Sequence, residues 1–409
     1  MNLSNDSKTI IKYIIDNNKS IERNYPKNNN QLRHFIKFIY KLFSLLNNQL
    51  NRYNFILNRE ISETSPLQQG NSIYYPEVIR DYINNSKKTC VSYLLALDNR
   101  QTILNFYIFN KRDPDLSLKK LDAYAKNVSM ILLLLQKYSD SKCNNKGLTI
   151  NIFMTHFKRN IDSSSISRTN KIGQINLNGG FTRPCQNDGN ITVYRKEEWF
   201  KVLIHECFHS FGLDFCISDL GSLNREIREL FPINSEFNIY ETYCELWAEI
   251  LNACFCAFRL LRHHNNHNNQ SDSLVYSLYE NNCILFLEIE RSFSKIQCKK
   301  ILDNLSLNYS DILKHGNNYS EDTNVFAYII CTYILMFDIN KFINWTENNN
   351  DNYFNFNSDN NTITAFYNLI RENYKDDELI AALNREINPR NNKNKFIKTT
   401  LRMSAIEII

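Results

Sequence analysis

Tight turns are rare in this chain: 9 glycines and 7 prolines serve 409 residues. Sandwiches and barrels of short strands need frequent turns, and those turns draw on Gly and Pro. The chain is therefore expected to fold mainly with long helices, with room for a small sheet. Its hydrophobic fraction of 43% is enough to build one or more substantial cores at this length.

Hydrophobic periodicity divides the chain into three parts. Residues 1–90 read as helical, with "QLRHFIKFIYKLFSLLNNQLNRYNFIL" repeating apolar positions at helical spacing and a Pro/Gly-containing turn at about 65–78. Residues 91–265 mix the two periods. "CVSYLLAL", "QTILNFYIF", "LTINIFMTHFKR", "IGQINLNGGF" and "NITVYR" read as strands, while "SLKKLDAYAKNVSMILLLLQKYS" reads as a helix. Residues 266–409 are helical again. Asn-rich runs such as "HHNNHNNQ" and "TENNNDNYFNFNSDNN" belong in loops, because the Asn side chain competes for backbone hydrogen bonds. The expected class is α+β, mostly helical, with a small mixed sheet.

Net charge is +5, and acidic and basic residues are interleaved, so no nucleic-acid partner is expected. The first 20 residues lack a basic segment followed by an apolar run, and no stretch is apolar for 18 residues, so a cytoplasmic protein without membrane contact is expected. The 11 cysteines form no CxxC pair and suggest reduced thiols, with Cys207 a packing residue.

One stretch carries chemistry. In "RKEEWFKVLIHECFHSFGLDF", Trp199, Phe200, Val202, Leu203, Ile204, Cys207, Phe208 and Phe211 surround most of a helix, which marks it as buried. His205 and His209, four residues apart, stack on one face and can share a metal ion, with Glu206 beside them. Two histidines and a glutamate inside such a helix would be costly to bury without partners. Gly212 is placed to end the helix as a left-handed cap. A metal site needs a third ligand. An H-x-x-G-x-x-ligand spacing would put it at position 215, which is Phe215; Asp214 is one residue out of register. The other source is "YETYCELWAEIL", where Glu241, Glu245 and Glu249 repeat every four residues along one face of an otherwise apolar helix.

HECFH followed by ELWAE resembles the gluzincin zinc peptidases, whose HExxH helix is followed by a second helix carrying E-x-x-A-[D/E]. The block from about 175 to 255 is also similar to the predicted metallopeptidases of large cytoplasmic DNA viruses, with which the Asn- and Lys-rich composition agrees. The resemblance implies a zincin-like core, with Zn²⁺ held by His205, His209 and Glu245, the last lying 36 residues beyond His209. Glu206 becomes the general base, and Glu249 holds a zinc histidine, where the family more often has Asp. Glu241 remains the alternative ligand. "INLNGGF" is the expected edge strand for an extended peptide substrate. Tyr240, Tyr243, Arg259, His263, His264 and His267 are candidate oxyanion donors, and sequence does not choose among them. The expected activity is zinc-dependent hydrolysis of peptide or protein substrates, with a non-catalytic, zinc-stabilised viral structural or interaction protein as the alternative.

Overall fold

A computed structural model of the chain describes residues 2–17, 30–64, 72–98, 100–110, 113, 116–140, 142–143, 147–162, 171–264, 272–384 and 394–408. Its elements, in chain order, are helices α1 (Asn5–Asn17) and α2 (Asn30–Arg52), strand β1 (Ile56–Thr64), α3 (Glu77–Asn85), β2 (Lys88–Leu97), β3 (Arg100–Ile108), α4 (Leu118–Gln136) and β4 (Gly147–Met154). There follow α5 (Gln174–Leu177), β5 (Gly180–Thr182), β6 (Asp188–Val193), α6 (Trp199–Ser210), α7 (Gly221–Leu230), α8 (Tyr240–His264) and α9 (Asp272–Asn304). The remainder is α10 (Tyr309–Lys314), a π-helical segment (Phe326–Cys331), α11 (Thr332–Phe337), α12 (Ile339–Asn349), α13 (Asn360–Asn373), α14 (Asp377–Asn384) and α15 (Lys395–Thr399). The class is α+β, mostly helical, with one mixed sheet of six strands in the order β1-β2-β3-β4-β6-β5. Among the described residues, no single helix is long and apolar enough to cross a membrane.

The chain forms two compact units, each drawn from separated stretches. One comprises residues 41–159 and 178–214; the other comprises 1–40, 160–177 and 215–409.

The first unit holds the sheet. β1, β2 and β3 are antiparallel, β3–β4 and β4–β6 are parallel, and β5 runs antiparallel to β6 at the end of the sheet. The parallel β3–β4 pair is joined through α4, as parallel neighbours require a crossover. Burial alternates along β3, where Arg100, Thr102, Leu104 and Phe106 are buried in turn. α6 lies on β5 and β6, and its first residue, Trp199, packs edge-on against Phe106 of β3 at 5.8 Å and against Tyr124 of α4 at 5.1 Å.

Two parts of this unit depart from the sequence reading. Ile56–Thr64 is a strand inside the stretch expected to be helical, and residues 57–63 are exposed on both faces. Polar edge positions such as these leave no apolar alternation to recognise. Of "IGQINLNGGF", the segment 174–177 is a short helix and strand begins at Gly180. Asn176 stabilises that helical turn, accepting from the Gly173 N–H at 2.9 Å and donating to the Asn160 carbonyl at 2.9 Å. The cysteines also differ from expectation. Cys143 and Cys185 form a disulfide across 42 residues of sequence, joining the β5–β6 turn to the segment before β4.

The second unit is built on α8 and α9, which pack together along an apolar seam. Trp247 is fully buried among Phe35, Phe342 and Phe354 at 5.0–5.4 Å. Residues 394–408 thread through this unit as a buried strap held by polar side chains. Lys300 Nζ donates to the carbonyls of Ile397 (2.9 Å) and Thr400 (2.6 Å). Glu290 accepts from Ser404 Oγ (2.7 Å), Ala405 N–H (2.7 Å) and Ile406 N–H (3.0 Å), while Asn252 donates to the Ile406 carbonyl at 2.7 Å. Burial without compensating charge pulls the Lys300 ammonium down to about 7.

Candidate metal centre

All twelve residues of α6 are buried, as its apolar circumference requires. Its start is fixed by Glu198, which adopts a left-handed φ of 56° and accepts from Arg159 Nη1 at 2.5 Å, both side chains being 1% exposed. The adjacent Glu197 carboxylate accepts the Arg159 backbone N–H at 2.6 Å. The end is fixed by Gly212 at φ +61°. Gly212 N–H donates to the His209 carbonyl (3.1 Å) and Leu213 N–H to the Phe208 carbonyl (2.9 Å), the paired bonds of a Schellman turn. The sequence expectation of a left-handed glycine cap holds. Cys207, fully buried, has its thiol pushed up by desolvation, which suits a packing residue.

Between these fixed ends His205 and His209 turn their Nε2 atoms toward each other, 3.1 Å apart. Asp214 lies against the other side of His209: His209 Nδ1–H donates to Asp214 Oδ2. A carboxylate in that position holds the proton on Nδ1 and leaves Nε2 of His209 with its lone pair. Two imidazole nitrogens bound tetrahedrally to one zinc at 2.0–2.1 Å would be about 3.3 Å apart. The observed spacing and the donor chemistry therefore fit zinc. The disulfide stands behind the turn that carries Asp214. A Cβ on Gly212 would lie 2.5 Å from Cys143 Sγ and 2.8 Å from Cys185 Sγ.

Glu206 sits where α6 meets the last strand of the sheet. A Cβ on Gly180 would be 2.8 Å from the Thr192 carbonyl, 2.9 Å from Val202 Cγ1 and 3.1 Å from Glu206 Oε1. The glycine pair singled out in the sequence thus marks a close approach of strand and helix, with the Glu206 carboxylate beside the backbone of β5. At Gly179 a Cβ would be 2.5 Å from Arg159 Nη2. Behind β5, Tyr194 stacks on Tyr75 at 4.9 Å, and the buried Arg195 donates from Nε to the Asn178 carbonyl at 2.7 Å. Desolvation lowers the Arg195 guanidinium to about 10.

In the other unit, Glu241, Glu245 and Glu249 follow one another at four-residue intervals on α8, and all three are buried. Burying three carboxylates on one helix face requires cations or hydrogen-bond donors. Among the described residues, buried side chains with metal-ligating chemistry include His205, His209 and Asp214 of the first unit and Glu241 and Cys244 of the second. Of the candidate oxyanion donors, Tyr243 spends its hydroxyl on the Phe354 carbonyl at 2.9 Å. The side chains of His263, His264 and His267 fall outside the described residues. Asp214 is the functional residue that linear spacing missed. The signal was the glycine cap, which reverses the chain and returns residue 214 to the ring of His209.

Comparison with protein families, with characterised proteins and with solved structures finds no match for this chain.

Proposed function

We propose that the protein is a zinc-dependent peptidase, with His205 and His209 as two ligands, a carboxylate of α8 as the third and Glu206 as general base. The observation that carries this reading is the histidine pair, whose Nε2 atoms converge at 3.1 Å while a buried aspartate occupies the far nitrogen of His209. Glu245 is the preferred third ligand because it opens the ELWAE motif, and Glu241 is the alternative.

Zinc bound there would supply a Lewis acid that lowers the pKa of a water and polarises the scissile carbonyl. Glu206 takes the proton of the attacking water and delivers it to the leaving amine. His205 and His209 supply neutral nitrogen donors, held in place by a helix fixed at both ends. β5, as the last strand of the sheet, offers its backbone to an extended peptide, and Gly180 keeps that backbone close to Glu206.

The test is metal content and hydrolysis measured together. Wild type should hold about one zinc per chain by the three-ligand stoichiometry of catalytic sites. Glu245→Ala and Glu241→Ala, compared side by side, identify the third ligand by which one loses the metal. Glu206→Gln should keep zinc and lose peptide hydrolysis. Zinc retained with no hydrolysis by wild type would favour the zinc-stabilised structural role, and no zinc after reconstitution would remove both.

A further inference from the structure

We infer that Asp214 is the positioning residue of the histidine pair, fixing His209 as its Nδ1–H tautomer so that Nε2 is presented as a ligand. Three observations converge on it. The Asp214 side chain is 0% exposed, and its Oδ2 meets His209 Nδ1. His209 points its opposite nitrogen at His205 Nε2, 3.1 Å away, so ring orientation and tautomer are set together. The backbone between the two residues is rigidly specified: Gly212 adopts φ +61° and the Schellman bonds close around it. The sulfurs of Cys143 and Cys185 fill the space that a side chain at position 212 would need.

The resemblance gives the task of holding a zinc histidine to Glu249 on a distant helix. Here the carboxylate comes from the same turn as the motif, five residues beyond the ring it holds. A short rigid connection costs little further ordering, and it fixes ring direction more tightly than a long flexible side chain. Asp214 touches neither substrate nor metal; it acts through His209. Its consequence for metal binding rests on the zinc reading above, whereas the tautomer it imposes exists without metal.

The experiment uses the full chain, metal-free, with ¹⁵N-labelled histidine, at a pH above the imidazole titration range. His209→Gln assigns the His209 signals among the eight histidines. Wild type is expected to show Nδ1 protonated and Nε2 bare at His209. Asp214→Asn, close in volume, should shift His209 toward the other tautomer and weaken zinc binding 10- to 100-fold in competition with a chromophoric chelator. Asp214→Glu should recover part of that affinity.

A wild-type His209 carrying its proton on Nε2 overturns the inference without any aspartate variant, so it stands or falls even where Asp214→Asn fails to fold. Unchanged tautomer and unchanged zinc affinity in a folded Asp214→Asn overturn it as well. The Nδ1–H tautomer in a wild type that takes up no zinc supports the hold of Asp214 on the ring and sinks the peptidase reading instead.

Discussion

Reduction of the Cys143–Cys185 bond should destabilise the histidine-bearing unit by about 4 kcal/mol, the loop-closure entropy released when a cross-link spanning some 40 residues is opened. The span is set by the sequence separation of 42 between the two cysteines. The same bond fills the space over Gly212, so its loss should also slacken the turn that carries Asp214. The three tryptophans provide an assay: Trp199 belongs to the histidine-bearing unit, while Trp247 and Trp345 belong to the other. In a Trp247→Phe/Trp345→Phe background, Trp199 fluorescence in urea reports unfolding of the first unit alone. With a dependence of roughly 2 kcal/mol per molar urea, the midpoint should fall by roughly 2 M on adding a dithiol reductant, which opens the bond to two thiols and is itself oxidised to its cyclic disulfide. A Cys143→Ser/Cys185→Ser variant should show the reduced midpoint in either condition. Coincident curves for wild type, with thiol counting confirming that both sulfurs have been released, would refute the reasoning.

Three further outcomes follow from packing and charge. Gly180→Ala forces a methyl group to within 2.8 Å of the Thr192 carbonyl and 3.1 Å of Glu206, so it should cost about 1–3 kcal/mol and depress hydrolysis while zinc content is unchanged, as measured by denaturation, turnover and metal analysis. The Lys300 amine titrates near 7 when folded against an ordinary value of 10.5, so between those limits the unfolded chain binds the extra proton and stability rises with pH. The slope approaches 1.4 kcal/mol per pH unit from this group, and Lys300→Met should flatten it in denaturation curves taken across that window. Glu290→Leu leaves the buried N–H groups of Ala405 and Ile406 without their acceptor at about 1–3 kcal/mol each, which limited proteolysis of residues 394–408 should register as faster cleavage.

Local pattern made much of the histidine-bearing unit legible. β2 and β3 appeared as apolar runs, α6 as a helix apolar on nearly every side, and Gly212 as its stop, because each depends on neighbours within a few residues. β1 was not legible: its strand character comes from pairing with β2, and its exposed sequence "ILNREISET" has no buried face to impose a period of two. The disulfide was hidden for a related reason, since Cys143 and Cys185 have no motif and meet only once the β5–β6 turn forms. In the site, His205, Glu206 and His209 were visible from spacing, whereas Asp214 required knowing which way the chain turns after the cap. The interleaving of two compact units likewise has no local signature, because it is set by contacts between stretches more than a hundred residues apart.

The strap at residues 394–408 gives the chain a clock. Synthesis delivers residues 41–214, and with them every strand of the sheet and the whole of α6, before the strap has been made. The histidine-bearing unit therefore has all its own residues early, while Asn252 of α8 and Glu290 and Lys300 of α9 still face water in place of the backbone they will later hold. Only when the ribosome has passed residue 406 can that polar seam close. An interrupted chain would carry a finished histidine helix beside acid-bearing helices still without their lock.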